Sequence, residues 1–158
     1  MRLTLISGRS VTDVVSLDTY CTCVADLWCG AGSHRQATPA LSTAEAEYEA
    51  LTACTREVVW VRGLLQELGF TQTAPTTVYE DNQSAIGMAK SVSLTRMTKH
   101  VVVRCAFLRF HLDAGAVVVL YCPTLCMLAD VLTKIQGRVV FVRMRGQLLG
   151  YEVWTIQM

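Results

Sequence analysis

Apolar residues repeat at spacings of three and four over residues 44–68, and this pattern constrains the fold more than any other in the chain. Such spacing lines one side of an α-helix, and that side must pack against a core. Ser42, with Glu45 three positions later, is typical of a helix start, and Gly69 is typical of a helix end. The sequence therefore predicts a helix over residues 43–68. Its apolar side consists of Ala44, Tyr48, Leu51, Val58, Leu65 and Leu68, interrupted by Thr55.

Short strands are expected before this helix, and strands and helices alternate after it. The apolar and β-branched runs predict strands over residues 3–6, 11–17, 21–28, 76–79 and 116–121. Helical spacing favours helices over residues 85–89, 98–112 and 127–134. Strands followed by such alternation predict a three-layer α/β domain. The tail, which is basic and apolar from Gly137 onward, predicts an added pair of strands.

Composition excludes several classes of protein. The chain has 158 residues, of which 52% are apolar and 17% are charged, so disorder is not its main state. No apolar stretch approaches the roughly 20 residues of a membrane span, and no signal peptide pattern begins the chain. Its seven cysteines lack the paired spacing of a zinc site, which favours reduced thiols. We therefore expect an intracellular protein, cytoplasmic or nuclear and not secreted, with no membrane partner.

The charge is unevenly distributed along the chain. Residues 1–80 hold nine Asp and Glu against five Lys and Arg, whereas residues 81–158 hold four against nine. The halves thus carry charges of −4 and +5, although the chain as a whole carries +1. A basic half suits an anionic partner such as nucleic acid, and an acidic half can supply metal ligands. Solvated charged surfaces are the alternative interpretation.

Three acidic residues, Glu47, Asp81 and Asp130, occupy positions that suit a metal site. They lie in the first turns of the long predicted helix, just after a predicted strand, and in the last predicted helix. Hard divalent cations such as Mg²⁺ prefer carboxylate oxygens, so three carboxylates from separate elements could form one site. Each residue also has a simpler explanation. Glu47 and Asp130 would face water, and Asp81 would cap the helix after it, with Asn82 as competitor.

Several motifs give these positions a family context. The string ALSTAEAEY at residues 40–48 resembles a hallmark of the ribonuclease H domain in copia-type retrotransposon Pol polyproteins. Further motifs follow in the order and spacing of that family: EVVWVRGLLQELG (57–69), TTVYEDNQSAI (76–86), TKH (98–100), YCPT (121–124) and MLADVLTK (127–134). The resemblance covers about residues 33 to 134. It implies a ribonuclease H-like three-layer α/β fold, with a mixed five-stranded sheet flanked by helices.

The resemblance also implies an activity, which is hydrolysis of the RNA strand of RNA–DNA hybrids by two-metal catalysis with Mg²⁺ or Mn²⁺. Glu47, Asp81 and Asp130 match the catalytic, metal-binding carboxylates of the family. Glu80, next to Asp81, is expected to lie outside the ligand set. A non-catalytic nucleic-acid-binding relic of the domain is the alternative function.

One part of the family pattern has no clear counterpart. The family carries its first catalytic aspartate on its first strand, and Arg9 to Thr12 resemble the segment that follows that strand. We therefore expect a truncated domain whose first strand is degenerate or missing, with degenerate strands over 1–32, a core over 33–136 and an extension over 137–158. Asp26 is the rival ligand, because residues 25–30 resemble the missing motif. However, too few residues separate Asp26 from the long helix for the two strands that the family places between them.

The expected partners are an RNA–DNA hybrid and, if the domain is joined to it, the reverse transcriptase of a parent polyprotein. Four residues are predicted to contact nucleic acid: Arg96, Lys99, His100 and Arg104. On a helix, His100, Arg104 and His111 could present one cationic side to phosphates, although a solvated helix face would have the same pattern.

Overall fold

The chain forms an α/β structure whose five-stranded sheet packs against helices. A computed structural model describes residues 3–12, 15–24, 27–36, 40, 42–91, 99–132 and 135–149. Side chains are described for residues 36, 40, 42–91, 106–132 and 135–149. The predicted α/β class is therefore confirmed.

The strands are β1 (Leu3–Thr12), β2 (Val15–Val24), β3 (Leu27–Arg35), β4 (Thr76–Glu80) and β5 (Val117–Tyr121). The helices are α1 (Thr43–Glu67), α2 (Gln83–Lys90), α3 (Lys99–Asp113) and α4 (Arg138–Leu148). Two short 3₁₀ segments, Thr124–Cys126 and Leu128–Leu132, lie between β5 and α4.

The order of the strands in the sheet is β3-β2-β1-β4-β5, which places β1 in the centre. The pairs β1–β2 and β2–β3 are antiparallel, whereas β4 runs parallel to both β1 and β5. Leu5 pairs with Val78 and Ile6 with Tyr79. The expectation of a missing first strand is therefore wrong, because residues 3–12 occupy the central position beside β4. Gly8, which lies between the strands predicted over 3–6 and 11–17, is part of this single strand.

Helix α1 begins and ends as the sequence predicts. The Ser42 side chain caps the helix by accepting a hydrogen bond from the Glu45 backbone N–H at 3.1 Å. At the other end, the Gly69 N–H donates to the Gln66 carbonyl and the Phe70 N–H to the Leu65 carbonyl. This pair of bonds is a Schellman motif, which requires a left-handed residue after the helix, and Gly69 supplies it with φ of 86°.

Apolar clusters cover both faces of the sheet at β4. Because successive strand residues point to opposite faces, Val78 belongs to a cluster with α1, α2 and α3, whereas Tyr79 packs against a second cluster. The first cluster contains Tyr48, Leu51 and Val58 of the predicted apolar side of α1. The second consists of Cys122, Met127, Leu128, Ala129 and Met144. The sheet is thus a middle layer, as the sequence predicts.

Arg62 links the second half of α1 to the segment that leads into β4. Its guanidinium donates to the Gln72 carbonyl at 2.7 Å, and to the Ala74 carbonyl and the Thr76 hydroxyl at 2.9 Å each. Burial lowers the pKa of Arg62, but a guanidinium retains its charge at neutral pH. These three hydrogen bonds fix the position of the start of β4 relative to α1.

Two predictions near the C-terminus are wrong. Leu128–Leu132 form a 3₁₀ segment in place of the expected helix, so their side chains follow a repeat of three. In the tail, Arg138–Leu148 form α4 where a strand was expected, and residues 150–158 lie outside the described residues. The fourfold spacing of Val140, Met144 and Leu148 puts these side chains against the second cluster, and this packing outweighs the strand preference of the β-branched residues. Of the helices that the structure describes, none is long and apolar enough to span a membrane.

Two glycines of the α1 region test the importance of backbone conformation. Gly69→Ala is expected to lower the free energy of unfolding by about 1–2 kcal/mol, because alanine is strained at positive φ. Gly63→Ala is expected to raise it by roughly 0.5–1 kcal/mol, because Gly63 lies inside the helix with nothing within 4 Å of an added Cβ. Urea unfolding measures both, and shifts of the same sign would contradict the assigned helix end.

Candidate metal-binding site

The site is built around the end of β4. Along this strand Thr76, Val78 and Glu80 are buried, whereas Thr77 and Tyr79 are half-buried. This alternation directs Glu80 to the same face as Val78, which is the face covered by α1. Glu80 is fully buried, and Asp81 follows it at the carboxyl end of the strand, half-buried.

Asn82 caps the helix that follows the strand. Its Oδ1 accepts hydrogen bonds from the backbone N–H groups of Ser84 at 2.9 Å and Ala85 at 3.1 Å. Asn82 is therefore the capping residue, and Asp81 is not needed for this purpose. The capping explanation for Asp81 is thus wrong, and its competitor is correct.

Three carboxylates come together here, and we call them the acidic group: Glu47, Glu80 and Asp81. Each offers one oxygen, and these oxygens all lie within 4.8 Å of one another. Glu47 lies on the second turn of α1, and its Oε2 is buried. Two residues singled out from the sequence, Glu47 and Asp81, thus meet in space. Glu80 joins them, contrary to the expectation that it would lie outside the set.

The acidic group fits a hard divalent cation by the chemistry and spacing of its oxygens. Carboxylate oxygens are the ligands that Mg²⁺ and Mn²⁺ prefer. The three oxygens all lie within 4.8 Å of one another, so one ion between them is within reach of all three side chains.

The segment after β5 surrounds the same point. The Cys122 N–H donates to the Glu80 carbonyl at 2.9 Å, which extends the pairing of the two parallel strands beyond Tyr121. The Thr124 hydroxyl donates to Asp81 Oδ2 at 2.8 Å. The carboxylate of Glu80 is also bonded, since its Oε1 accepts from the Asn82 N–H at 3.1 Å. Thr124 ends the YCPT motif at residues 121–124, although the sequence predicted no role for its side chain.

Asp130 is buried, which contradicts the simpler explanation that it would face water. It is 2% exposed and lies in the second 3₁₀ segment. A repeat of three places it on the same side as Met127, which is also buried, whereas Leu132 is exposed. Asp130 nevertheless stands outside the acidic group, whose oxygens meet the 4.8 Å limit without it.

Negative charge concentrates near Cys122, beside this group. The pKa of the Cys122 thiol is raised to about 12, mainly by burial and also by the negative charges of Cys126, Asp81, Asp130 and Glu80. Asp130, Asp81 and Glu80 therefore act on the same thiol. Of the three carboxylates predicted from the sequence, Glu47 and Asp81 belong to the acidic group, which Glu80 completes, and Asp130 lies outside it.

Strand β1 brings no carboxylate to this neighbourhood. The pairing of β1 with β4 extends from Thr4–Thr77 to Ile6–Tyr79, one residue before Glu80. None of the residues of β1, LTLISGRSVT, is acidic. The remaining candidate, Asp26, lies outside the described residues.

The predicted nucleic-acid contacts fall mainly on α3. Arg96 lies outside the described residues, whereas Lys99, His100 and Arg104 belong to α3, where only their backbone is described. Further along this helix, burial lowers the pKa of His111, so its ring is neutral at neutral pH and adds no positive charge. Its ring instead packs edge-on against two phenylalanines, at centroid distances of 4.6 and 5.1 Å.

Comparison with known proteins points to mobile genetic elements. The chain is 42% identical over 99 residues to the retrovirus-related Pol polyprotein from transposon TNT 1-94 of Nicotiana tabacum. It is 31% identical over 129 residues to the corresponding polyproteins from transposons RE1 and RE2 of Arabidopsis thaliana. The chain is thus similar to one region of retrotransposon Pol polyproteins. No family model matches the chain.

These alignments cover most of the chain but little of the relatives. They span 63% of the chain for the TNT 1-94 polyprotein and 82% for the RE1 and RE2 polyproteins. The chain spans less than a tenth of each relative, between 7% and 9% of its length. The similarity therefore supports a region derived from a retrotransposon Pol polyprotein.

Removing the α2 cap should destabilise the chain next to the acidic group. Asn82→Ala is expected to lower the free energy of unfolding by about 1 kcal/mol, because two backbone N–H groups lose their acceptor. Gln83→Ala, at the neighbouring exposed position, is the control and should change it by less than about 0.5 kcal/mol. Urea unfolding that finds equal effects would contradict the assigned cap.

Cys122 should resist alkylation in the folded protein. A thiol with a pKa of about 12 stays protonated from pH 7 to pH 10, and the thiolate is the reactive form. Iodoacetamide labelling read by mass spectrometry should modify the half-buried Cys126 first, and Cys122 only after denaturant is added. Since unfolding releases the Cys122 proton near pH 9, stability should fall between pH 9 and about 12. Equal labelling of the two thiols at pH 7 would contradict this environment.

Proposed function

We propose that the chain is a ribonuclease H-like domain of a retrotransposon Pol polyprotein, which hydrolyses the RNA strand of RNA–DNA hybrids with divalent cations. The observation that carries this proposal is the meeting of Glu47 and Asp81 within 4.8 Å. These two residues were singled out by motifs on separate elements, and their convergence is what a shared catalytic role requires. The similarity to Pol polyproteins and the central, parallel position of β1 beside β4 support the same proposal.

In this proposal the acidic group holds the cations. Glu47, Glu80 and Asp81 would supply carboxylate ligands, and Asp130 would lie close enough to interact with the same charge. Divalent cations bound in this way would activate a water molecule and stabilise the leaving 3′ oxygen. The chain itself holds the carboxylates in place, through the pairing of β4, the cap at Asn82 and the packing of α1.

Glu80 has a particular place in the proposed ligand set. The resemblance implies an aspartate on the first strand, but β1 has no acidic residue. Glu80 is buried on the face of β4 that meets Glu47, so it supplies a third carboxylate from the neighbouring strand. We infer that it takes part of the role that a β1 aspartate would have.

Contacts with the hybrid would be made by the basic second half of the chain. The proposed contacts are Arg96, which precedes α3 in sequence, and Lys99, His100 and Arg104 in the first half of that helix. Phosphate contacts of this kind position a nucleic acid without reading its sequence. Recognition of the hybrid would then depend on its shape and backbone.

The lack of a carboxylate on β1 favours a second candidate function, a non-catalytic nucleic-acid-binding domain. Such a domain would keep the fold and the basic second half of the chain but would not cleave the hybrid. The two candidates differ in a single observable, which is formation of a cleaved product that depends on a divalent cation.

A labelled RNA–DNA hybrid tests the proposal directly. The wild-type chain with Mg²⁺ or Mn²⁺ is expected to cleave the RNA strand, and Glu47→Gln and Asp81→Asn should each reduce cleavage to background. Asp113→Asn is the matched control, because Asp113 is an exposed carboxylate at the end of α3 and should leave cleavage unchanged. Asp26→Asn tests the rival ligand, and loss of cleavage would assign Asp26 to the site.

The same samples separate the two candidates when hybrid binding is measured by fluorescence anisotropy. If the folded wild-type chain binds the hybrid but does not cleave it, the catalytic proposal is wrong and the non-catalytic binding domain is supported. Cleavage that persists in Asp81→Asn would show that the acidic group is not the catalytic centre.

A further inference from the structure

Thr124 makes a side-chain hydrogen bond to the acidic group from a distant part of the chain. Its hydroxyl donates to Asp81 Oδ2 at 2.8 Å, a typical length for a hydroxyl bonded to a carboxylate. Thr124 begins the first 3₁₀ segment, just after β5, whereas Asp81 follows β4. The bond therefore joins the ends of two adjacent parallel strands.

The backbone around Thr124 is held independently of this bond. Tyr121 pairs with Glu80, and the Cys122 N–H donates to the Glu80 carbonyl at 2.9 Å. Pro123 limits the backbone that follows, with φ of −58°. The Thr124 carbonyl accepts from the Met127 N–H at 3.1 Å. The hydroxyl is therefore presented to Asp81 by a fixed segment.

Asp81 needs such support more than its two neighbours. Glu80 is fully buried, and Oε2 of Glu47 is buried, so packing restricts both side chains. Asp81 is half-buried at the rim of the sheet, and two nearby carboxylates repel its charge. Without a donor on Oδ2, rotation toward water would separate its oxygens from the acidic group.

We propose that Thr124 is a positioning residue, whose hydroxyl holds the Asp81 carboxylate toward Glu47 and Glu80 so that the acidic group binds a divalent cation. This inference rests on the proposed function of the acidic group. It assigns to Thr124 no contact with substrate. Partners that orient a ligand carboxylate commonly affect metal affinity by about 10- to 100-fold.

The test uses Mn²⁺ alone, titrated into the full chain and followed by calorimetry. Thr124→Val, which keeps the side-chain shape and removes the hydroxyl, should weaken Mn²⁺ binding about 10-fold or more. Thr124→Ser keeps the hydroxyl and should bind within about threefold of wild type. Thr73→Val, at an exposed loop position, is the control and should bind like wild type.

A double-mutant cycle separates positioning from a general structural effect. In the Asp81→Asn background, Thr124→Val should weaken Mn²⁺ binding no further, because the carboxylate that the hydroxyl holds is already gone. Thermal unfolding of the metal-free variants shows whether Thr124→Val keeps the fold. A similar metal-free melting temperature for Thr124→Val and wild type is expected.

The outcomes distinguish this inference from the proposed function. If the wild-type chain binds Mn²⁺ and Thr124→Val binds it equally well, the role of Thr124 is wrong while the acidic group stands as a metal site. If Thr124→Ser fails as fully as Thr124→Val, or the weakening persists with Asn at position 81, positioning of Asp81 by the hydroxyl is also wrong. If the wild-type chain binds no Mn²⁺, both proposals fall.

Discussion

The parallel pairing of β4 with a strand on each side is the constraint on which the rest of the structure depends. Pairing with β1 and β5 fixes the register of β4. The alternation of side chains along the strand then fixes the face of the sheet to which each side chain points. Glu80 is thereby directed inward, and Asp81 is left at the rim. Asn82 then caps α2, which begins at Gln83. The polar segment between β4 and α2 is therefore only two residues long.

Helix α1 completes the site because it lies close to the sheet. Ala46 and Ala50 on this helix are almost fully buried, and such small side chains allow a helix backbone to approach closely. Glu47 lies between them in sequence and brings a carboxylate from α1 to the end of β4. Arg62 fixes the other half of the helix to the segment before β4. The relative position of Glu47 and Asp81 is therefore set by contacts at both ends of α1.

The acidic group places three carboxylates close together, and one of them, Glu80, is fully buried. Carboxylates that lie within 4.8 Å of one another repel, and burial strengthens this repulsion. Proteins keep such arrangements mainly at functional sites, where a ligand balances the charge. A cation that binds only the folded chain would also stabilise it. The same group would thus connect the stability of this region with the proposed chemistry.

Local signals in the sequence determined a large part of this protein. The extent of α1 follows from an apolar repeat, a serine cap and a glycine stop, each of which acts within a few residues. Strands β4 and β5 and helices α2 and α3 follow from similar short-range patterns. The motifs also singled out Glu47 and Asp81, although nothing in their spacing showed that they meet.

Long-range packing decided the rest. Residues 3–12 form a central strand only because β2 and β4 pair with them, and α4 forms in a strand-like sequence because Val140, Met144 and Leu148 pack on the second cluster. Tertiary structure likewise buries Asp130, brings Glu80 into the acidic group and places the Thr124 hydroxyl on Asp81. A local pattern records what a residue favours in its own segment, whereas the sheet and its neighbours determine which distant side chains it meets.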